Sequence, residues 1–274
     1  MSHTSFPVAD LAHLVGTWRA PVIIDVRSSD AFAADPRLIP GSLRRDSRAT
    51  ADCSDAFRGL TVVVTCKDGL DASQAVAAAL RHENIDAKHL AGGFDAWLAS
   101  GNLSIRGGVI PPTDAGGRTV WVTRERPKID RIACPWLIRR FIDPEAIFLF
   151  VTAAEVPAVA DRLNAVPFDI EGVFWSHRGE TCTFDTMLTE FGLKSPPLDR
   201  LAAIVRGADT ARLDLVPQAA GFLAVSLGLS QLFDDDLAQL EAGMTLYDAT
   251  YLWCRDANEE THNWPCKAGP TRTS

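Results

Sequence analysis

The sequence predicts an α/β chain built in two parts, a parallel-sheet unit followed by a mostly helical α+β unit. Three observations carry this reading. Short β-branched apolar runs alternate with helical stretches over the N-terminal third. A Gly- and Pro-rich stretch, Ser104 to Arg118, then breaks the pattern. Beyond it, two further strand-like runs give way to long helical stripes. A chain of 274 residues has room for about two domains. The boundaries read as 1–103 for the first, 104–118 for a linker, 119–256 for the second and 257–274 for a polar tail.

In the first unit, "PVIIDV" (Pro21 to Val26) and "TVVVT" (Thr61 to Thr65) are continuously apolar, as strands buried on both faces of a parallel sheet are. "SQAVAAALRHENI" reads as a helix and "AKHL" as a third strand. Gly92 and Gly93 punctuate before the helical "FDAWLAS". In the second unit, "TVWVT" and "IFLFV" read as strands. Leu198, Leu201, Val205 and Ala208 fall at helical spacing, as do Leu237, Leu240, Met244, Tyr247 and Tyr251; both stripes are core-packing faces. The second half does not repeat the first.

A net charge of −8 argues against nucleic acid or an anionic membrane as the main partner. No apolar run approaches the ~18 residues of a membrane span. The N-terminal "MSHTSFPVADLAHL" has neither the basic start nor the apolar core of a secretory signal, so a cytoplasmic location is expected. Six scattered cysteines with no C-x-x-C pair do not read as a disulfide framework.

Cys66 ends the run "VVVTC", at the carboxyl end of a predicted parallel strand, where such sheets place their sites. Backbone N–H groups of the following loop and the positive end of the next helix would favour a thiolate. Gly69 supplies the conformational freedom for such a loop. A buried structural cysteine is the competing reading. Across Lys67, Asp68, Gly69, Leu70 and Asp71 the formal charge is −1, which opposes a thiolate and repels a dianion.

The pieces Asp25-Val26-Arg27, Phe32, Ile39-Pro40-Gly41-Ser42, the Cys66 loop, and Gly92-Gly93 with Ala96-Trp97 occur in order over residues 6–103. Together they resemble the rhodanese family. The resemblance implies a sulfurtransferase without a cofactor, in which Cys66 takes sulfane sulfur as a persulfide and passes it to a thiol. Asp71 stands where members of that family using small anionic donors often carry Arg. A neutral or protein-bound sulfur donor is therefore expected in place of thiosulfate.

In the second unit, "DRIACPWLIRRFID" places Asp130 as a helix cap. Pro135 is expected to kink the helix or to start it one turn later. Arg131, Arg139 and Arg140 are candidates for gripping an oxyanion; the alternative pairs them with Asp130, Asp143 and Glu145. His177 ends an apolar run with Glu180 and Cys182 close behind, and Arg206, Asp209 and Asp214 gather near a helix end. Imidazole with carboxylates suits zinc, manganese or iron. A rival set, Cys254, His262 and Cys266, lies near and in the tail.

Trp121 to Arg140, His177 to Asp185, Arg206 to Asp214 and Tyr247-Asp248-Ala249 together resemble the C-terminal domain of ChrB-type chromate-resistance proteins, over Thr119 to Arg255. The resemblance implies a role in chromate resistance or its control. The expected metal ligands are His177, Glu180 and Asp209, with Arg131, Cys134 and Arg206 toward an oxyanion or substrate. Binding is expected to weaken below about pH 6, where free imidazole takes its proton. The alternative function is a chromate- or metal-responsive regulator with a non-catalytic first domain.

Overall fold

The computed structural model describes residues 4–52 and 54–260. Cys53, His262, Cys266 and most of the expected tail lie outside them. The first domain runs β1 (Ser5–Phe6), α1 (Val8–Leu14), β2 (Val22–Asp25), α2 (Ser29–Ala34), β3 (Arg37–Leu38), β4 (Ser42–Arg44), α3 (Ser47–Asp52), β5 (Thr61–Thr65), α4 (Asp71–His82), β6 (Asp86–Leu90), α5 (Gly93–Ala99) and β7 (Ile105–Arg106). Five strands form one parallel sheet in the order β1-β6-β5-β2-β4. The apolar β2 and β5 lie inside it, and Ile23, Ile24, Val62, Val63 and Val64 are buried, as runs that alternate onto both faces must be.

The second domain runs β8 (Val120–Arg124), α6 (Asp130–Leu137), a π-helical turn over Ile138–Ile142, β9 (Ile147–Val151), α7 (Val156–Leu163), β10 (Val166–Pro167), α8 (Thr183–Phe191), α9 (Pro196–Asp209), α10 (Gln218–Leu232) and α11 (Asp236–Leu252). Its three strands, β10-β8-β9, are all parallel. The helical stripes face the core except at Leu237, which is exposed near the start of α11: Leu198, Leu201, Val205, Ala208, Leu240, Met244, Tyr247 and Tyr251 are buried in one cluster with Trp121 and Trp136. Pro135 lies inside α6 and does not start it. The helix continues through it and passes into the π turn that follows. Among the described residues, no helix is long and apolar enough to cross a membrane.

The expected linker is built into the fold. Ile105 and Arg106 pair antiparallel with Leu38 and Arg37. Leu38 and Ile105 are buried in the second domain's core cluster, which ties the two domains together. Gly16 (φ +77°) sits under the Phe141 ring, where a Cβ would come within 2.3 Å of Cζ. The Gly41 amide donates to the Phe141 carbonyl.

Gly69 and Gly93 are needed where the Cys66 loop meets the start of α5. At Gly93 (φ +61°) a Cβ would lie 2.3 Å from the Gly69 nitrogen and 2.6 Å from the Cys66 carbonyl oxygen. The Phe94 and Asp95 amides donate to the Cys66 and Lys67 carbonyls at 2.9 Å each, locking the loop against that helix. Gly93→Ala is expected to destabilise the protein by about 2–4 kcal/mol through backbone strain and loss of this lock. Urea unfolding checks it; a change within ~0.5 kcal/mol would contradict the close packing.

Candidate functional sites

Both candidate sites lie at the carboxyl edges of parallel sheets, where loops between strands and helices converge. At the first, Cys66 follows β5 and its side chain is buried. Its Sγ lies 3.2 Å from Ser73 Oγ, 3.4 Å from Asp68 Oδ1 and 4.0 Å from the Leu70 carbonyl oxygen. Ser73 Oγ donates to that same carbonyl, so the groups around the sulfur accept a thiol proton. The Asp68 carboxylate also accepts the Leu70 amide hydrogen bond, which with the Cys66 contact holds it below the usual carboxylate range. Of the charged groups in the loop, Asp68 is the one in contact with the sulfur. Asp71 is the exposed first residue of α4, facing the helix's positive end, and has no contact with Sγ. The sequence pointed to Asp71 as the negative charge beside the sulfur; the carboxylate in contact with Sγ is Asp68. Lys67 and Leu70 are exposed.

The second site is assembled from four segments. Asp130 opens α6 after the β8 loop; Asp169 follows β10; His177 lies in the loop before α8; Asp209 ends α9. His177 Nε2 stands 3.1 Å from Asp209 Oδ2, 3.4 Å from Asp169 Oδ1 and 3.5 Å from Asp130 Oδ2. One ligand atom from each of Asp130, His177 and Asp209 lies within 4.8 Å of the others. Thr183, at the start of α8, donates its amide to Asp130 and its hydroxyl to Asp169 at 2.8 Å. Asp130 is fully buried, and its Oδ1 has no hydrogen-bond partner.

Burial, followed by the charges of Asp209 and Asp169, pushes the Asp130 carboxyl well above the ordinary range. Burial and Asp169 raise Asp209 as well. The hydrogen bond to Asp169, reinforced by the other carboxylates, pushes His177 up to about 9 against the opposing effect of burial. Three carboxylates thus share one exposed imidazole and one guanidinium. Ile129, immediately before Asp130, adopts φ 41° although β-branched, a strained backbone held because its carbonyl accepts the buried Tyr247 hydroxyl at 2.8 Å.

Several expected residues lie elsewhere. Glu180 is on the surface with Arg212, so Asp130 takes the place assigned to it. Asp130 is not the cap of α6; Ile129 holds the cap position. Arg131 is beside the cluster but engaged: its Nε lies 3.3 Å from Asp169 Oδ2, and its Nη1 donates to the Arg124 and Glu125 carbonyls. Cys134 is buried in the core, where burial pushes its thiol far up. Arg206 donates to Asp185 at 2.8 Å along a separate cleft. Arg139 and Arg140 pair with Glu241 and Asp248 of α11, not with Asp130, Asp143 or Glu145. Cys254 is buried, and the rest of its expected set lies outside the described residues. Asp169 was not singled out from the sequence. Its one signal is its place at the carboxyl end of a strand too short to stand out as one.

Family models match both parts of the chain: the rhodanese-like domain over residues 8–100 and the C-terminal domain of ChrB over residues 121–254. The chain joins a rhodanese-like domain to a ChrB C-terminal domain. Protein ChrB of Cupriavidus metallidurans is 33% identical over 214 residues, covering 75% of this chain and 64% of the relative. The chain thus spans a little under two thirds of that relative. A rhodanese-like domain protein from Staphylococcus aureus is 24% identical with a TM-score of 0.31, covering 34% of this chain and 90% of its own. A rhodanese-related protein from Thermoplasma volcanium is 20% identical with a TM-score of 0.32, covering 37% and 96%. Both sites sit within the matched spans: Cys66 in the rhodanese-like domain, and Asp130, Asp169, His177 and Asp209 in the ChrB domain.

Proposed function

We propose that this protein acts in chromate resistance, with a divalent metal held in the ChrB domain by Asp130, His177 and Asp209, supported by Asp169. The observation that carries this reading is the unpartnered, fully buried Oδ1 of Asp130 within a cluster of like charges. A buried carboxylate oxygen without a partner is costly, and a cation satisfies it. The spacing agrees: metal–ligand bonds of about 2.0–2.2 Å in a tetrahedral site separate neighbouring ligand atoms by roughly 3.4 Å. The His177-to-carboxylate distances are 3.1–3.5 Å. Nitrogen and carboxylate oxygen suit zinc, manganese or iron. Such a metal would supply a Lewis-acid centre on the exposed side of the cluster, where His177 faces solvent.

In the same reading the rhodanese-like domain carries sulfur on Cys66, with a neutral or protein-bound donor and a thiol acceptor. Chromate is reduced by thiols, which gives a sulfur-handling module a place beside a chromate-resistance domain. The regulator reading keeps one supporting observation: the Asp68 carboxylate stands 3.4 Å from Sγ, a like charge beside the sulfur anion that turnover would need.

Metal analysis of protein purified without chelator, repeated for His177→Ala, tests the main reading. About one equivalent of a divalent metal is expected in the parent and a small fraction in the variant. Equal content in both, or none in either after reloading, would overturn it.

A further inference from the structure

We propose that the cleft between the two domains is a binding site for a small tetrahedral oxyanion, gripped by Arg44, Arg45 and Ser42. The cleft has a volume of about 490 Å³ and lies between the end of β4, the connector around Gly107 to Thr113 and the β8 entry at Thr119. Ser42 is 4% exposed, lines the cleft, and its Oγ has no hydrogen-bond partner. A hydroxyl left unpartnered in the interior is unfavourable, and a ligand oxygen would satisfy it.

The two guanidiniums are only partly used. Arg44 donates one hydrogen bond, through Nη1 to the Arg27 carbonyl at 2.9 Å, and lies 4.4 Å over the Phe32 ring. Among the described residues no carboxylate stands within ion-pair distance of it. Arg45 forms a long ion pair with Glu145, at 3.7 Å. Gly117 (φ +83°) leaves that guanidinium its space: a Cβ there would fall 2.5 Å from Arg45 Nη1. The planar donor forks match the paired oxygens of an oxyanion better than a point charge would.

The acid in this cleft is already occupied. Asp143 Oδ2 accepts the Thr119 amide at 2.6 Å and hydroxyl at 2.7 Å, and its Oδ1 accepts the Glu145 amide at 3.0 Å. A smaller cleft of about 290 Å³ shares the same two arginines and is lined also by Arg27, Ser28, Ser29, Asp46 and Ser47. Its walls are the loops leaving β2 and β4, on the sheet edge that also presents Cys66. The cation pair that the Cys66 loop lacks is thus supplied two strands away, at the junction with the ChrB domain. An oxyanion bound there touches residues that fix one domain against the other.

Sulfate, a redox-inert tetrahedral dianion, is the probe. The full chain is titrated with sulfate against chloride at matched ionic strength, following thermal stability and binding heat. Saturable stabilisation by sulfate alone is expected. Arg45→Gln should weaken the sulfate affinity about ten-fold or more. Ser42→Ala should weaken it several-fold while leaving the sulfate-free protein as stable as the parent, because its hydroxyl has no partner to lose. Arg58→Gln, whose exposed pair with Asp55 lies outside the cleft, should bind as the parent does. No saturable effect of sulfate, or unchanged affinity in Arg45→Gln and Ser42→Ala, would overturn the assignment. The measurement involves neither Cys66 nor the carboxylate–His cluster, so its outcome is separate from the sulfur and metal readings.

Discussion

Asp130→Asn is expected to abolish divalent-metal binding while leaving the metal-free protein at least as stable as the parent above pH 7. The substitution keeps shape and still accepts the Thr183 amide, but it removes a charge that burial and two neighbouring carboxylates already disfavour. The loss in metal affinity should exceed the roughly 10–100-fold that follows removal of a supporting residue. The pH dependence follows from the same cluster. His177, Asp130 and Asp209 all bind their protons more tightly in the folded state. Their contribution to stability is therefore present below their unfolded values, and it is lost as pH rises through the folded values, up to about 9 for His177. The metal-free parent should lose thermal stability between about pH 6 and 9. Added metal competes with those protons, so its stabilising effect should grow over the same window. This moves the pH dependence expected from a free imidazole upward from about 6. Melting curves from pH 6 to 9, with and without metal, decide it. A parent whose stability is flat across that range, or an Asp130→Asn variant that still binds metal, would count against the site.

Cys66→Ser is expected to eliminate persulfide formation, and Asp68→Asn to accelerate alkylation of Cys66 by roughly ten-fold at neutral pH. The first follows from position, since Cys66 is the cysteine at the edge of the first sheet. The second follows from the 3.4 Å contact between Sγ and the Asp68 carboxylate, an adjacent negative charge that opposes the thiolate. Asp71→Asn, by contrast, should change the alkylation rate less than about two-fold, because Asp71 opens α4 on the exposed side. Rates with a small neutral alkylating agent, followed by mass spectrometry at Cys66, separate the two. Faster reaction in Asp71→Asn together with no change in Asp68→Asn would return the electrostatic role to Asp71. Persulfide yield in Cys66→Ser equal to the parent would end the sulfur-carrier reading.

In the first domain β2, β5, β6, α4 and α5, the parallel sheet and the place of Cys66 were legible in the sequence, because each depends on short-range pattern; the short β1, β3, β4 and β7 and the helices α1 to α3 were not. "TVVVT" becomes β5 since β-branched apolar runs have few other places to go, and the loop after it lands at the sheet edge whatever the rest of the chain does. Gly69 and Gly93 could be recognised as turn residues, but only the folded chain shows that each leaves room for the other's backbone. The second site was half legible. His177 and Asp209 stand out as polar groups at the ends of apolar segments. Asp130 resembles a helix cap and Asp169 an ordinary loop residue until β8 and β10 pair and bring their carboxyl ends together. Glu180, three residues from His177, points to Arg212 instead. Nearness along a chain decides contacts within a strand or helix, where the repeat is fixed. Convergence of four segments on one imidazole is set by sheet pairing and helix packing, which act between residues as far apart as Asp130 and Asp209 and leave no local trace.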